Sequence, residues 1–456
     1  MSGSAVKIIA IGIVVVVAVA GVATFLVMNK DDKSNVNVDA ALEVYGNADN
    51  DYKIDANDKD VIQKIINGEE GYTLEKYPLA DAFYDGEVNE KDLTQVQKIL
   101  DGEDCTVWHL WYKTNTSESR WDSKVVDTKW PIKKCIANGA ANALLCYSML
   151  GLDDKIAAIN YSSTSPPDKV LYPKYNAMPS LGTSTTNLTA SAVTKAVSED
   201  RAITAVLTAD NKSYLSSPAA SGKVGEDELE SQGIDVIRIK HAAVDPKEFS
   251  SALLLLGFLF QKENTAQEAA TWIEDVYKEL DEKLKGVTTK VKVAVASGDA
   301  QLSMRNSDYA DVSVQAGGVY TYPVKSTSSM KMAENAWMYN DEYQMDKIVM
   351  IRTGGSNGTW YEPNGLDYTK FQSIMDGYAL FNCYKEGKNV YLISGDMPVV
   401  ARVLYTAAIL YPDLVSEDYA NEIHQKYVDR FLGSAYNVSE LKFMYNYAEV
   451  SEKVSA

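Results

Sequence analysis

The sequence predicts an α/β protein with two sheet-and-helix lobes joined by one long helix, preceded by a hydrophobic anchor and a small all-α acidic unit. Three features carry this reading: an uncharged run near the N-terminus, an acidic twelve-residue pattern that occurs twice, and two series of alternating strands and helices on either side of a long helical stretch. A chain of 456 residues has room for two to four compact units. Its formal charge of -19 excludes a nucleic-acid surface, which needs clustered Lys and Arg.

Residues 8 to 28 carry no charge over 21 positions, and at ~1.5 Å rise per residue such a helix spans the ~30 Å core of a bilayer. Residues 1 to 30 therefore read as a single-pass membrane anchor with a short flank, the bulk of the chain being extracytoplasmic. A cleavable signal peptide is the alternative, with Ala18-Val19-Ala20 as its small-residue site. Phe25, Leu26, Val27 and Met28 extend the apolar run past that site, which favours retention. Lys7 on one side and Lys30 and Lys33 on the other leave orientation undecided by charge. Six Asn-x-Ser/Thr sequons follow the run, at Asn115, Asn160, Asn187, Asn211, Asn357 and Asn437, and lend modest support to export. Cys105, Cys135, Cys146 and Cys383 fit no metal spacing and read as buried thiols.

Residues 31 to 104 hold 20 Asp and Glu against 7 Lys, so most of the chain's negative charge lies there and a cation belongs with it. A calcium loop draws oxygens from positions 1, 3, 5, 7, 9 and 12 of a twelve-residue turn. Asn47, Asp49, Asp51, the Lys53 carbonyl, Asp55 and Asp58 fall on those positions in order, and Ile54 at position 8 is expected to face a partner loop. A shift of 34 residues lays "QKIINGEE" over "QKILDGED" and gives the second loop Asp81, Asp85, the Glu87 carbonyl, Asn89 and Asp92, with Val88 at position 8. Gly86 supplies the sharp-turn position, whereas Phe83 replaces a ligand at position 3, so the second site should be the weaker. Each loop leads into an amphipathic run: Val61, Ile62, Ile65 and Ile66, then Leu93, Val96, Ile99 and Leu100. A duplicated loop-and-helix unit with Asp at position 12 resembles a dockerin domain. That resemblance implies two calcium ions and docking onto a cohesin-like partner.

After Cys105 the pattern becomes strand and helix in alternation. Residues 133–139, 155–161, 202–209 and 235–242 read as buried strands, with a helix over 140–151. A long helical stretch follows within 249–286, and 290–298, 347–355 and 389–396 start a second strand series. Such alternation predicts parallel sheets covered by helices. The boundaries are 105–260 for the first lobe, 261–288 for the joining helix and 289–456 for the second lobe.

The stretches "YPDLVSEDYANEIHQKYVDRFLG", "LLLLGFLFQKENTAQEAATWI" and "QAGGVYTYP" resemble the periplasmic-binding-protein family that serves iron-siderophore, haem and cobalamin ABC importers, and are closest in character to its archaeal members. The resemblance implies two Rossmann-like lobes hinged slightly about a rigid helix, with a ligand held between them. Open α/β sheets bind ligands beyond the carboxyl ends of their strands. Asn138 and Tyr161 in the first lobe, and Arg305, Tyr320, Arg352 and Trp360 in the second, are the expected cleft residues. An Arg would pair with an anionic siderophore or propionate, and a Tyr or Trp would stack on a macrocycle. The family also places a Glu in each lobe to meet Arg of the permease. Thr189 stands at the first of those positions and Glu334 lies only near the second, which puts docking by the usual contacts in question.

Nothing in the sequence names a catalyst. His109, His241 and His424 show no spacing to other His, Cys or carboxylates that builds a metal or nucleophilic site. No phosphate-binding Lys-Ser/Thr loop or nucleophile elbow occurs. The leading expectation is solute capture, and the rival is a cell-surface scaffold that uses the acidic unit to recruit partners.

Overall fold

The computed structural model describes residues 38 to 456, apart from 115–120, 140, 163–165, 183–187, 211–214, 216–224, 242, 297, 306, 324–328 and 355–357. The hydrophobic run at 8 to 28 and the sequons at Asn115, Asn187, Asn211 and Asn357 lie outside the described residues. Among the described residues no helix is long and apolar enough to cross a membrane. Val36–Ala456 forms a single unit, so the acidic segment is packed on the remainder of the chain.

The acidic segment contains the helices Ala56–Ile66 and Glu90–Asp101. Asp55 and Asn89 cap them, and Asp58 and Asp92 complete a capping box three residues on. An oxygen-bearing side chain starts a helix because it takes up an N–H that has no partner in the first turn. Loop positions 9 and 12 thus also launch the helix. Val61, Ile62 and Val96 close on Ala48, Ala80 and Ala82 in a small core, against which Ile54 and Val88 pack.

A long antiparallel hairpin not expected from the sequence precedes the first lobe: β1 (Cys105–Thr114) and β2 (Trp121–Trp130), in register from Cys105↔Trp130 to Thr114↔Trp121. Residues 43 to 45 run along the other edge of β1. The Tyr45 N–H donates to the Trp108 carbonyl at 2.9 Å, and the Leu110 N–H donates to the Glu43 carbonyl at 3.1 Å.

The first lobe is a four-stranded parallel sheet of β3 (Lys134–Asn138), β4 (Ile156–Asn160), β5 (Ile203–Ala209) and β6 (Asp235–Ile239), in the order β4-β3-β5-β6. These are the apolar strands expected of a sheet covered on both faces. Asn160 ends β4 and is fully buried, so its sequon is closed to a glycan, which requires an exposed Asn. Asn437 is exposed.

Two helices then lead to the second lobe. Pro246–Leu259 is almost wholly buried, whereas Glu263–Leu284 buries one stripe that includes Ala266, Ala269, Ala270, Ile273, Tyr277 and Leu280. The two touch at Gly257, where any Cβ would collide with Ala266. The second lobe adds β7 (Lys292–Ala296), β8 (Gln301–Ser303), β9 (Val319–Tyr320), β10 (Ser329–Lys331), β11 (Lys347–Arg352), β12 (Val390–Ser394) and β13 (Met444–Asn446). Its main sheet runs β13-β12-β11-β7-β9, parallel except for β13, while β8 and β10 pair separately. Cys135, Cys146 and Cys383 are buried and Cys105 half-buried, and none of the four is in a disulfide.

Candidate functional site

Both sheets reverse their strand order, the first between β3 and β5 and the second between β7 and β11. At such points the loops leaving neighbouring strands diverge and open a crevice at the carboxyl ends. In the first lobe the strand ends are tied together by buried side chains. Asn160 Nδ2 donates to Asn138 Oδ1 at 2.7 Å, and Asn138 Nδ2 donates to Thr208 Oγ1 at 3.2 Å. Just beyond them lies the charged cluster that sequence reasoning missed. Arg238 pairs with Glu226 and donates to the Ala209 carbonyl at 2.9 Å, while His241 Nδ1 stands 2.6 Å from Asp210 Oδ1. Burial alone pushes the His241 imidazole down, but the Asp210 carboxylate outweighs it and, with Asp308 of the second lobe, holds the group above the ordinary histidine value.

His241 borders a small, largely apolar cavity of ≈ 10 Å³, room for about one water. Leu145 and His241 approach it from the first lobe, Ile273 and Tyr277 from the joining helix, and Val399 and Val400 from the second lobe. The other two histidines are structural. His109 bonds Thr128 and the Leu110 carbonyl, both at 2.9 Å, and burial pushes it down to about 4. His424 bonds the Tyr436 hydroxyl at 2.7 Å, and burial pushes it down to about 3.

None of the six residues expected in the cleft lines this cavity. Asn138 is consumed by the amide ladder, and Tyr161 donates its hydroxyl to the Met178 carbonyl at 3.2 Å. Tyr320 is a core residue whose hydroxyl donates to the Ser303 carbonyl at 2.5 Å. Trp360 is likewise core: its indole donates to the Arg352 carbonyl at 2.9 Å and its ring stacks on Phe443, so it offers no face to a macrocycle. Arg305 is half-exposed and paired with Asp311 at 2.6 Å. Arg352 is buried and paired at 2.5 Å with Asp299, whose side chain is 60% exposed, at the rim of the second lobe. Nearby Asp396 is pushed up to about 6 by burial, against the Gly354 N–H at 2.6 Å and Arg402. Thr189 caps the helix Ala190–Glu199, and Glu334 is exposed beside Lys331.

The acidic loops are the second candidate. In the first, Asn47 Nδ2 donates to the carbonyls of Leu42 and Asp51, both at 2.7 Å, which leaves Asn47 Oδ1 buried without a partner. Asp58 accepts the N–H groups of Asp49 at 3.2 Å and Asp55 at 2.6 Å, and burial pushes its carboxyl up to about 7. Asp55 pairs with Lys53 at 2.6 Å. In the second, Asp81 accepts from Asp85 at 3.0 Å and from Gly86 at 2.8 Å, Asp92 accepts from Phe83 at 2.9 Å and from Asn89 at 2.8 Å, and Asp85 pairs with Lys91 at 2.7 Å. Among the described residues no three His, Cys, Asp or Glu side chains are gathered closely enough to hold a metal ion. The first loop nevertheless fits a hard cation: a buried amide oxygen is orphaned there and a carboxylate is penalised for its charge. In the second, Lys91 already neutralises Asp85 and an exposed Phe83 ring stands where a ligand would.

Neither a protein-family model nor a curated protein matches the chain. Solved structures do. A TroA-like periplasmic binding protein of Veillonella parvula, FepB, is similar at 15% identity with a TM-score of 0.52, over 74% of this chain and 99% of its own. A periplasmic solute binding protein of Veillonella parvula is similar at 16% identity with a TM-score of 0.50, over 75% of this chain and 99% of its own. The molybdate periplasmic binding protein MolA of Haemophilus influenzae is similar at 13% identity with a TM-score of 0.50, over 68% of this chain and 97% of its own. The fold is that of the TroA-like periplasmic binding proteins.

Proposed function

We propose that the chain is an extracytoplasmic solute-binding protein, tethered by its N-terminal hydrophobic segment, that captures a metal chelate of the iron-siderophore, haem or cobalamin class between its lobes for an ABC permease. The observation that carries this reading is the cavity at the lobe boundary, where two lobes and the joining helix meet around His241, which stands against Asp210. An imidazole held by a carboxylate in an apolar surround suits a hydrogen-bonding group on a flat ligand. A space of ≈ 10 Å³ does not admit a chelate, because ligands of that size take roughly 300–1,000 Å³. Capture therefore requires the lobes to part. The reading is of binding rather than catalysis.

The acidic segment is proposed to hold calcium. Asn47, Asp49, Asp51, the Lys53 carbonyl, Asp55 and Asp58 would supply the first site, and Asp81, Asp85, the Glu87 carbonyl, Asn89 and Asp92 a weaker second one. Bound calcium would neutralise the clustered carboxylates. A second reading, a surface scaffold docking a cohesin-like partner through this segment, draws on the exposed Phe83 and Tyr84 rings of the second loop.

Titrating the purified chain with ferric siderophores, haem and cobalamin, followed by Trp fluorescence, tests the capture reading. A saturable response to one of them is expected. A flat response to all, together with calcium-dependent retention of an envelope protein, would favour the scaffold.

A further inference from the structure

Residues 38 to 45 lie between the first acidic loop and the wall of the interlobe cavity, and they bond to both. On the loop side Asn47 Nδ2 donates to the Leu42 carbonyl at 2.7 Å, and the Leu42 N–H donates at 2.8 Å to the Asp51 carbonyl, which Asn47 also holds. On the cavity side the Asp39 and Ala40 N–H groups donate to the two carboxylate oxygens of Glu274 at 2.6 and 3.1 Å. Ser251 Oγ donates to the Ala41 carbonyl at 3.0 Å. Glu43 accepts the Tyr112 hydroxyl at 2.6 Å and stands 3.7 Å from Lys240 Nζ.

The far ends of these ties are one or two residues from the cavity. Glu274 is buried beside Ile273, Ser251 lies two residues past Phe249, and Lys240 precedes His241; Ile273, Phe249 and His241 all line the cavity. Each residue from 39 to 43 therefore carries a polar tie either to the loop or to a neighbour of the cavity wall. A buried donor or acceptor that loses its partner is left unsatisfied, so bonds of this kind resist breaking. These bonds form one contiguous route from Asn47 to the wall.

We propose that residues 38 to 45 couple calcium in the first loop to solute in the interlobe cavity. With Asn47 Oδ1 engaged on the ion, the Asn47 amide is fixed on Leu42 and Asp51, the clasp on Glu274 is held, and the cavity wall is set for capture. By linkage, solute tightens calcium in equal measure. The coupling rests on both halves of the proposed function.

Hydrogen exchange of the full chain, with and without calcium and beside native mass spectrometry to count bound ions, tests the coupling without a solute. Calcium should slow exchange about fivefold or more, both at residues 38 to 45 and along Glu263–Leu284. Glu274→Gln and Ser251→Ala should keep the bound ion yet lose the slowing along Glu263–Leu284. Slowing confined to residues 47 to 58 in the wild type would overturn the coupling and leave the calcium reading standing. Slowing along Glu263–Leu284 that survives in both variants would overturn the route through residues 38 to 45. Absence of any bound ion would overturn the calcium reading and the coupling together.

Discussion

The two lobes meet at the same boundary with different chemistry. The first presents charge that is buried and paired: Arg238 with Glu226, and His241 with Asp210, behind an amide ladder of Asn160, Asn138 and Thr208. The second presents an apolar helix start at Val399 and Val400 to the cavity; its pair of buried Arg352 with Asp299 reaches solvent through the Asp299 side chain, which is 60% exposed. A charge buried among apolar groups interacts strongly and costs much to strand, whereas one at a wet rim is screened. In the proposed capture, recognition falls to the first lobe and covering to the second.

The sharpest break in that comparison is Arg238→Ala. It leaves Glu226 without its partner and the Ala209 carbonyl without its donor, and should cost about 4 kcal/mol, as breaking buried ion pairs does. Urea unfolding measures it, and a loss under about 1 kcal/mol would mean that the pair is effectively solvated. Next comes Glu274→Ala, which strands the N–H groups of Asp39 and Ala40; about 3 kcal/mol is expected in the same assay.

A smaller effect follows pH. Because the folded His241 group lies above its ordinary value, its charge pairing stabilises the fold fully below about pH 6.5 and the contribution is lost as pH rises through the raised value. The gap in thermal midpoint between the wild type and His241→Gln should therefore narrow from about pH 6 to about pH 9. A gap that widens would place the imidazole in its neutral form. The smallest effect belongs to the second lobe: Arg352→Ala, whose partner is largely in water, should cost about 1 kcal/mol or less.

How much was legible in the sequence differs along the same division. The parallel strands declared themselves as short apolar runs, and β3, β4, β5, β6, β7, β11 and β12 lie within the segments read for them. The hairpin of β1 and β2 was passed over because Lys113, Asp122, Lys124 and Asp127 interrupt its apolar positions, and β13 because three residues carry no period. The two helices of the acidic segment were legible because the caps Asp55 and Asn89 and the apolar run that follows each are neighbours in the chain. The cavity was not, because Leu145, His241, Ile273 and Val400 come from segments that only the fold brings together. A lone His after "DVIRIK" carries no signal until Asp210, thirty-one positions earlier, stands beside it. Strand-end position alone favoured Asn138, Tyr320 and Trp360, whose side chains turned out to be spent on internal bonds.

The central claim, that solute is held at the lobe boundary by the first lobe's charge, is tested most directly by a paired titration of the wild type and His241→Ala with whichever of ferric siderophore, haem or cobalamin the wild type binds. Loss of a buried charged contact of about 2 kcal/mol predicts affinity about thirtyfold weaker in the variant. Equal affinity in the two proteins, with the variant folded, would contradict it.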